Sequence, residues 1–167
     1  MRSRNTAPLF LCLLAASAAA QTKTPPASVP LIEDPELYYA FFNYHQGLVT
    51  ALQASKAAAP QNSAQLDQQM ASLLGLNLQE LPAVIANTAA FIQALADLAI
   101  EKQTKLANPS SVPGNPTAAQ LNAAFEFKRI RITVEAFRLL NSSLSPASWT
   151  GIHNYITGTY KNTIYKH

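Results

Sequence analysis

Three groups of residues in this 167-residue chain have the types and spacing to do chemistry. The first is a single imidazole, His45. At helical spacing it falls near the middle of an apolar face, with Leu37, Phe41, Leu48 and Leu52 to one side and Tyr38, Phe42 and Val49 to the other. A core-facing imidazole can transfer a proton or touch a ligand. The alternative is a neutral core residue, satisfied by a tyrosine hydroxyl or a backbone carbonyl, with a pKa lowered by burial.

The second group is a polar row, Asn122, Glu126, Arg129 and Thr133, set between two apolar stripes. One stripe is Leu121, Phe125, Ile132 and Leu139; the other is Phe127, Ile130, Val134 and Phe137. Lys128, Arg131, Glu135 and Arg138 fall on the opposite, exposed side. Glu126 and Arg129 are three residues apart and can pair along a helix. Two readings follow. In one, an internal ion pair fixes the register of helix packing, and removing either partner strands the other charge at a cost of about 3–5 kcal/mol. In the other, His45, Glu126 and Arg129 meet in a polar pocket with Asn122 and Thr133, and Arg129 binds an anionic group of a small ligand.

The third group is C-terminal. No acid follows Glu135, while Trp149, Tyr155, Tyr160 and Tyr165 interleave with Lys161 and Lys166. Aromatics with lysines can form a recognition surface for glycans, acidic polymers or a partner protein. They can equally pack over the end of a bundle and leave the lysines in water.

Specific catalytic signatures are missing. There is no H-E-x-x-H, no haem-attachment C-x-x-C-H, no G-x-S-x-G elbow, no P-loop and no dinucleotide-binding glycine pattern. With three histidines and nine acids, few groups remain for hydrolytic or metal-dependent chemistry. The sequence therefore leans away from an enzyme, and no cofactor or metal site is expected.

The compartment is set by residues 1–20. Arg2 and Arg4, the apolar run around Leu9–Leu14 and the small residues Ala18–Ala20 have the pattern of a cleavable export signal. Cleavage would remove the only cysteine, Cys12, and two of the twelve Lys/Arg, leaving ten against nine Asp/Glu. The apparent basicity then vanishes, and with it the electrostatic case for nucleic acid. Nothing downstream reads as continuously apolar, so no stable membrane span is expected after cleavage. Residues 21–33, with three prolines, read as an extended spacer.

Residues 34–167 must position the three groups, and they read as one all-α domain: an antiparallel bundle of three long helices and two short ones with an irregular C-terminal tail. Asp34-Pro35-Glu36 starts a helix that runs to about Ala58. Asn62 or Ser63 caps a short helix closed by Gly75. A third runs from Leu78 or Pro82 to Ala107, its stripe formed by Val84, Ile85, Phe91, Ile92, Leu95, Leu98, Ala99 and Leu106. A Pro-rich loop follows, residues 108–116, and then the capping box Thr117 to Gln120 opens a fourth helix to about Ser142. Within it Arg129–Val134 alternates like a strand, but the cap and the flanking periodicity favour helix. Ser145-Pro146 starts a fifth, short helix to Gly158, and residues 159–167 stay unassigned. The functional expectation is an exported, periplasmic or extracellular binding protein acting on a protein partner or envelope component. The rivals are a small-ligand protein or enzyme around His45, Glu126 and Arg129, and a periplasmic chaperone-like protein, which needs an exposed apolar face.

Overall fold

The computed structural model describes residues 34–164. The segments read from sequence as an export signal and a spacer, and Tyr165 and Lys166, lie outside the described residues. Helix α1 is Pro35–Ala58, and the Asp34 carboxylate accepts the Leu37 amide at 3.0 Å to close its first turn. Its buried face carries Leu37, Tyr38, Phe41, Phe42, His45, Val49 and Leu52. A 3₁₀ turn, Pro60–Asn62, leads into α2, Ser63–Leu74. Neither Asn62 nor Ser63 caps α2 through its side chain, contrary to expectation. The turn runs straight into the helix, so the Pro60 carbonyl already takes the Ser63 amide and also accepts the Ser63 hydroxyl at 2.7 Å.

Gly75 ends α2 in the left-handed region at φ 68°, which lets the Leu76 amide reach back to the Ala71 carbonyl at 2.8 Å. A 3₁₀ turn, Leu78–Glu80, precedes α3, Leu81–Ala107. Helix α4 is Ala118–Ser143, opened by the reciprocal Thr117–Gln120 capping box. The strand-like alternation from Arg129 to Val134 is helical, because the cap and the seats of Thr133, Ala136, Phe137 and Leu140 in the core set the period.

After α5, Pro146–Asn154, the chain does not become irregular. It continues through a π-helical stretch, Tyr155–Tyr160, into α6, Lys161–Ile164. The expectation of an irregular tail is thus overturned for residues 159–164. β-prone residues are held helical here because Ile152, Ile156 and Tyr160 all have buried seats. A four-residue step over-rotates in an α-helix and under-rotates in the wider π turn. The two deviations cancel, and the three side chains stay on one face.

Helix α3 is central. Phe42 meets Phe91 and His45 meets Thr88, so α1 and α3 run in opposite senses. The Asn87 amide donates to the Ala136 carbonyl at 3.2 Å and Glu101 pairs with Lys128, so α4 also runs opposite to α3. Glu36, in the first turn of α1, is level with Arg129. The hairpin of α3 and α4 therefore extends past the described start of α1. That geometry explains why α3 buries Leu81, Val84, Thr88 and Phe91 but nothing beyond Phe91. Of the stripe assigned to α3 from sequence, only Val84 and Phe91 are fully buried.

Candidate functional site

The sequence-predicted polar residues fall in two separate places. His45 lies wholly buried on α1, stacked on Phe41 at 5.6 Å, and its Nδ1 shares a 2.7 Å hydrogen bond with the Thr88 hydroxyl on α3. Its Nε2 is buried without a hydrogen-bond partner. Burial holds its pKa down to about 4 from an ordinary 6.5. The imidazole is thus neutral, and its partner is a threonine rather than a tyrosine or a carbonyl.

Arg129 belongs to another cluster. Its Nη1 and Nη2 donate to the two oxygens of Glu36 at 3.0 and 2.7 Å, and its Nε donates to Glu126 at 2.8 Å. The guanidinium also lies over the Tyr39 ring at 4.5 Å. Hydrogen bonds from Arg129 lower the Glu36 pKa, and those to Glu36 and Glu126 raise that of Arg129 further. A shallow cleft of about 170 Å³ adjoins the cluster, bounded by Leu95, Leu98, Lys102 and Phe125. His45 does not line it. The three-residue pocket is therefore not assembled: His45 and Arg129 share no partner and no cleft.

The remaining members of the row scatter for a geometric reason. Asn122 is exposed, while Thr133 is fully buried and donates back to the Arg129 carbonyl at 3.0 Å. The row starts on the part of α4 that overhangs α1 and ends where α1 and α3 enclose α4, so one helical line passes from water to core. An ion pair this exposed contributes little. We predict that Arg129→Met changes unfolding stability in urea by no more than about 1 kcal/mol. A loss of about 3 kcal/mol or more would instead mark it as a structural lock.

Trp149, Tyr155 and Tyr160 face inward. Tyr160 is buried 5.9 Å from Phe41 and 5.1 Å from Tyr44, and Tyr155 is half-buried 6.4 Å from Phe41. Burial, then a hydrogen bond to Tyr44, pushes the Tyr155 phenol up to about 12. Trp149 stands edge-on to Phe137 at 5.2 Å and stacks on His153 at 5.6 Å. Of this group, Lys161 alone is exposed among the described residues. The packing is that of a segment closing the end of a bundle.

Two features had no sequence signal. Glu80 gathers the start of α5: its carboxylate accepts the Ser145 amide at 2.6 Å, the Ser145 hydroxyl at 3.2 Å and the Ser148 hydroxyl. These bonds, Ser148 first, hold the Glu80 carboxyl below its usual range. The second is the outer surface of the α3–α4 hairpin. Ile100 is 65% exposed and Phe127 72%, although Phe127 was placed on a core stripe. A groove of about 630 Å³ lies on this hairpin, lined by Ala94, Leu98 and Glu101 of α3 and by Lys128, Arg131, Val134, Glu135 and Arg138 of α4.

The segment Leu78–Ala107 is long and apolar enough by composition to cross a membrane, with a window of mean hydropathy 1.6. It is thus more apolar than the sequence expectation allowed. Only 17% of that window is buried. Among the described residues no group of three His, Cys, Asp or Glu side chains is placed to hold a metal ion. No family model, curated protein or solved structure matches the chain.

Proposed function

We propose that this chain is an exported helical binding protein that presents the outer face of its α3–α4 hairpin to a partner protein or envelope component. The observation that carries this reading is the mismatch between composition and burial in α3: an apolar helix of which few residues are fully buried, with Ile100 standing 65% exposed on its outer side. Exposed apolar surface of this kind, rimmed by charge, marks interaction sites. Phe127 and Ile100 flank the face, and Lys128, Arg131, Glu135 and Arg138 supply a charged rim. Large aromatic and aliphatic side chains beside arginines are the usual anchors of such contacts.

The test compares a mature chain, residues 21–167, with its Ile100→Ser/Phe127→Ser variant as bait in the exported fraction. The expected result is a species captured by the parent and lost from the variant, with the helical far-UV CD signal unchanged. Equal capture by both would overturn the reading. A chaperone-like role uses the same face, and it predicts suppression of aggregation of several unrelated unfolded chains in place of one captured partner. The small-ligand reading has less support, because Arg129 already spends three N–H donors on Glu36 and Glu126 and stands apart from His45.

A further inference from the structure

Resting on the hairpin reading, we infer that the occupant of this face is a second copy of the chain, docked with α4 antiparallel to α4 across a two-fold axis level with Thr133. Helical spacing puts Phe127, Arg131, Glu135 and Arg138 on one stripe, turned away from the buried Phe125, Thr133, Ala136 and Leu140. The charges on that stripe are unequally engaged. Both oxygens of Glu101 hold Lys128, at 2.6 and 2.8 Å. Arg131 makes no ion pair among the described residues, and Glu135 reaches Arg138 only at 4.0 Å with both side chains mostly in water.

An unengaged cation and a weakly engaged anion four residues apart on one helix are self-complementary. A two-fold axis midway between them brings Arg131 level with Glu135 of the second copy, and the symmetry makes that contact twice. The same register sets Phe127, 72% exposed, level with Leu139, 50% exposed, of the other copy. Lys128 comes level with Arg138 of the second copy, a like-charge approach that Glu101 offsets only in part because it also holds Lys105 at 2.6 Å, so the two Arg131–Glu135 contacts must outweigh it. A different partner would have to supply an acid opposite Arg131 and a cation opposite Glu135. This chain carries both.

Sedimentation equilibrium of the mature chain, from about 1 µM to about 1 mM, tests the inference. Arg131→Glu and Glu135→Arg, both at exposed positions, should each weaken the dimer about tenfold or more, since either reversal sets like charges together twice. The double variant R131E/E135R should return to within about threefold of the parent, with the helical CD signal constant throughout. A chain that stays monomeric over the whole range, or a double variant as weak as the single ones, overturns the dimer. If the parent is monomeric while I100S/F127S still loses a captured protein, the occupant is wrong and the hairpin reading stands. If that capture is also unaffected, both fall.

Discussion

Replacing Gly151 with alanine should destabilise the protein by about 3 kcal/mol and lower its melting temperature by about 10 °C, more than any surface substitution. Gly151 sits in the middle of α5 with its backbone against that of Gly75. A Cβ built on it would lie 2.8 Å from the Gly75 carbonyl carbon and 3.0 Å from its Cα, with the carbonyl oxygen closer still. All three atoms are backbone, and Gly75 is pinned by its left-handed turn and the Leu76–Ala71 hydrogen bond, so no side chain can rotate away. Helix α5 would have to lift. Lifting strains the Glu80 bonds to Ser145 and Ser148 and the Asn77 amide bond to the Ser148 hydroxyl, and it withdraws Ile152 from a fully buried seat. Gly47 provides the contrast. It lies within α1, nothing stands within 4 Å of a Cβ there, and Gly47→Ala should stabilise by about 0.5–1 kcal/mol through helix propensity. Differential scanning calorimetry of the two variants decides the matter. A Gly151→Ala protein melting within a few degrees of the parent would refute the close backbone contact.

This contact also marks where sequence reasoning stops. Local signals were legible because their causes are local. Asp34-Pro35-Glu36, the Thr117–Gln120 box and the closing Gly75 each act within one turn of chain, and each stands where it was expected. His45 was legible too, since the apolar residues on either side of it leave it nowhere to face but the core. The unread features join residues far apart in the chain. Glu80 meets Ser145, Gly75 meets Gly151, and Tyr38 shares a 2.7 Å hydrogen bond with His153 on α5. Helical periodicity carries no information about such pairs.

The candidate site failed for a related reason. A helical projection treats a helix as equally enclosed along its length, yet α4 overhangs α1 at one end. Residues on one line thus range from exposed Asn122 to buried Thr133, whereas Phe127, placed on a core stripe, points into water because it lies on the side of α4 turned away from the buried Phe125 and Ala136. Arg129 found its strongest partner in Glu36, at the start of another helix, where only the fold could put it.

Acid should weaken this fold through His45, and the size of the effect follows from its burial. The unfolded chain protonates the imidazole near 6.5, whereas the folded chain resists until about 4. Above 6.5 both states are neutral and the fold pays no penalty. As pH falls from 6.5 towards 4 the unfolded state alone gains a proton, so stability drops, by about 3 kcal/mol in all, and then levels off for this group. The cause is desolvation: no carboxylate offsets it, Thr88 faces the ring from α3, and Tyr155 and Tyr160 flank Phe41 from the π-helical stretch. The protonated ring is a donor at both nitrogens, and Nε2 has no acceptor. The carboxyls of Glu36, Glu80 and Glu101, all held below 4.5 by their partners, add their own losses only at the acid end of this window and beyond. Urea unfolding at a series of pH values isolates the histidine when the parent is compared with His45→Leu/Thr88→Val, which replaces both hydrogen-bonding partners with apolar groups of similar size. The variant should be nearly flat between pH 6.5 and about 5, where the parent loses most of its share. An identical decline in both proteins would show that His45 is not the group that titrates.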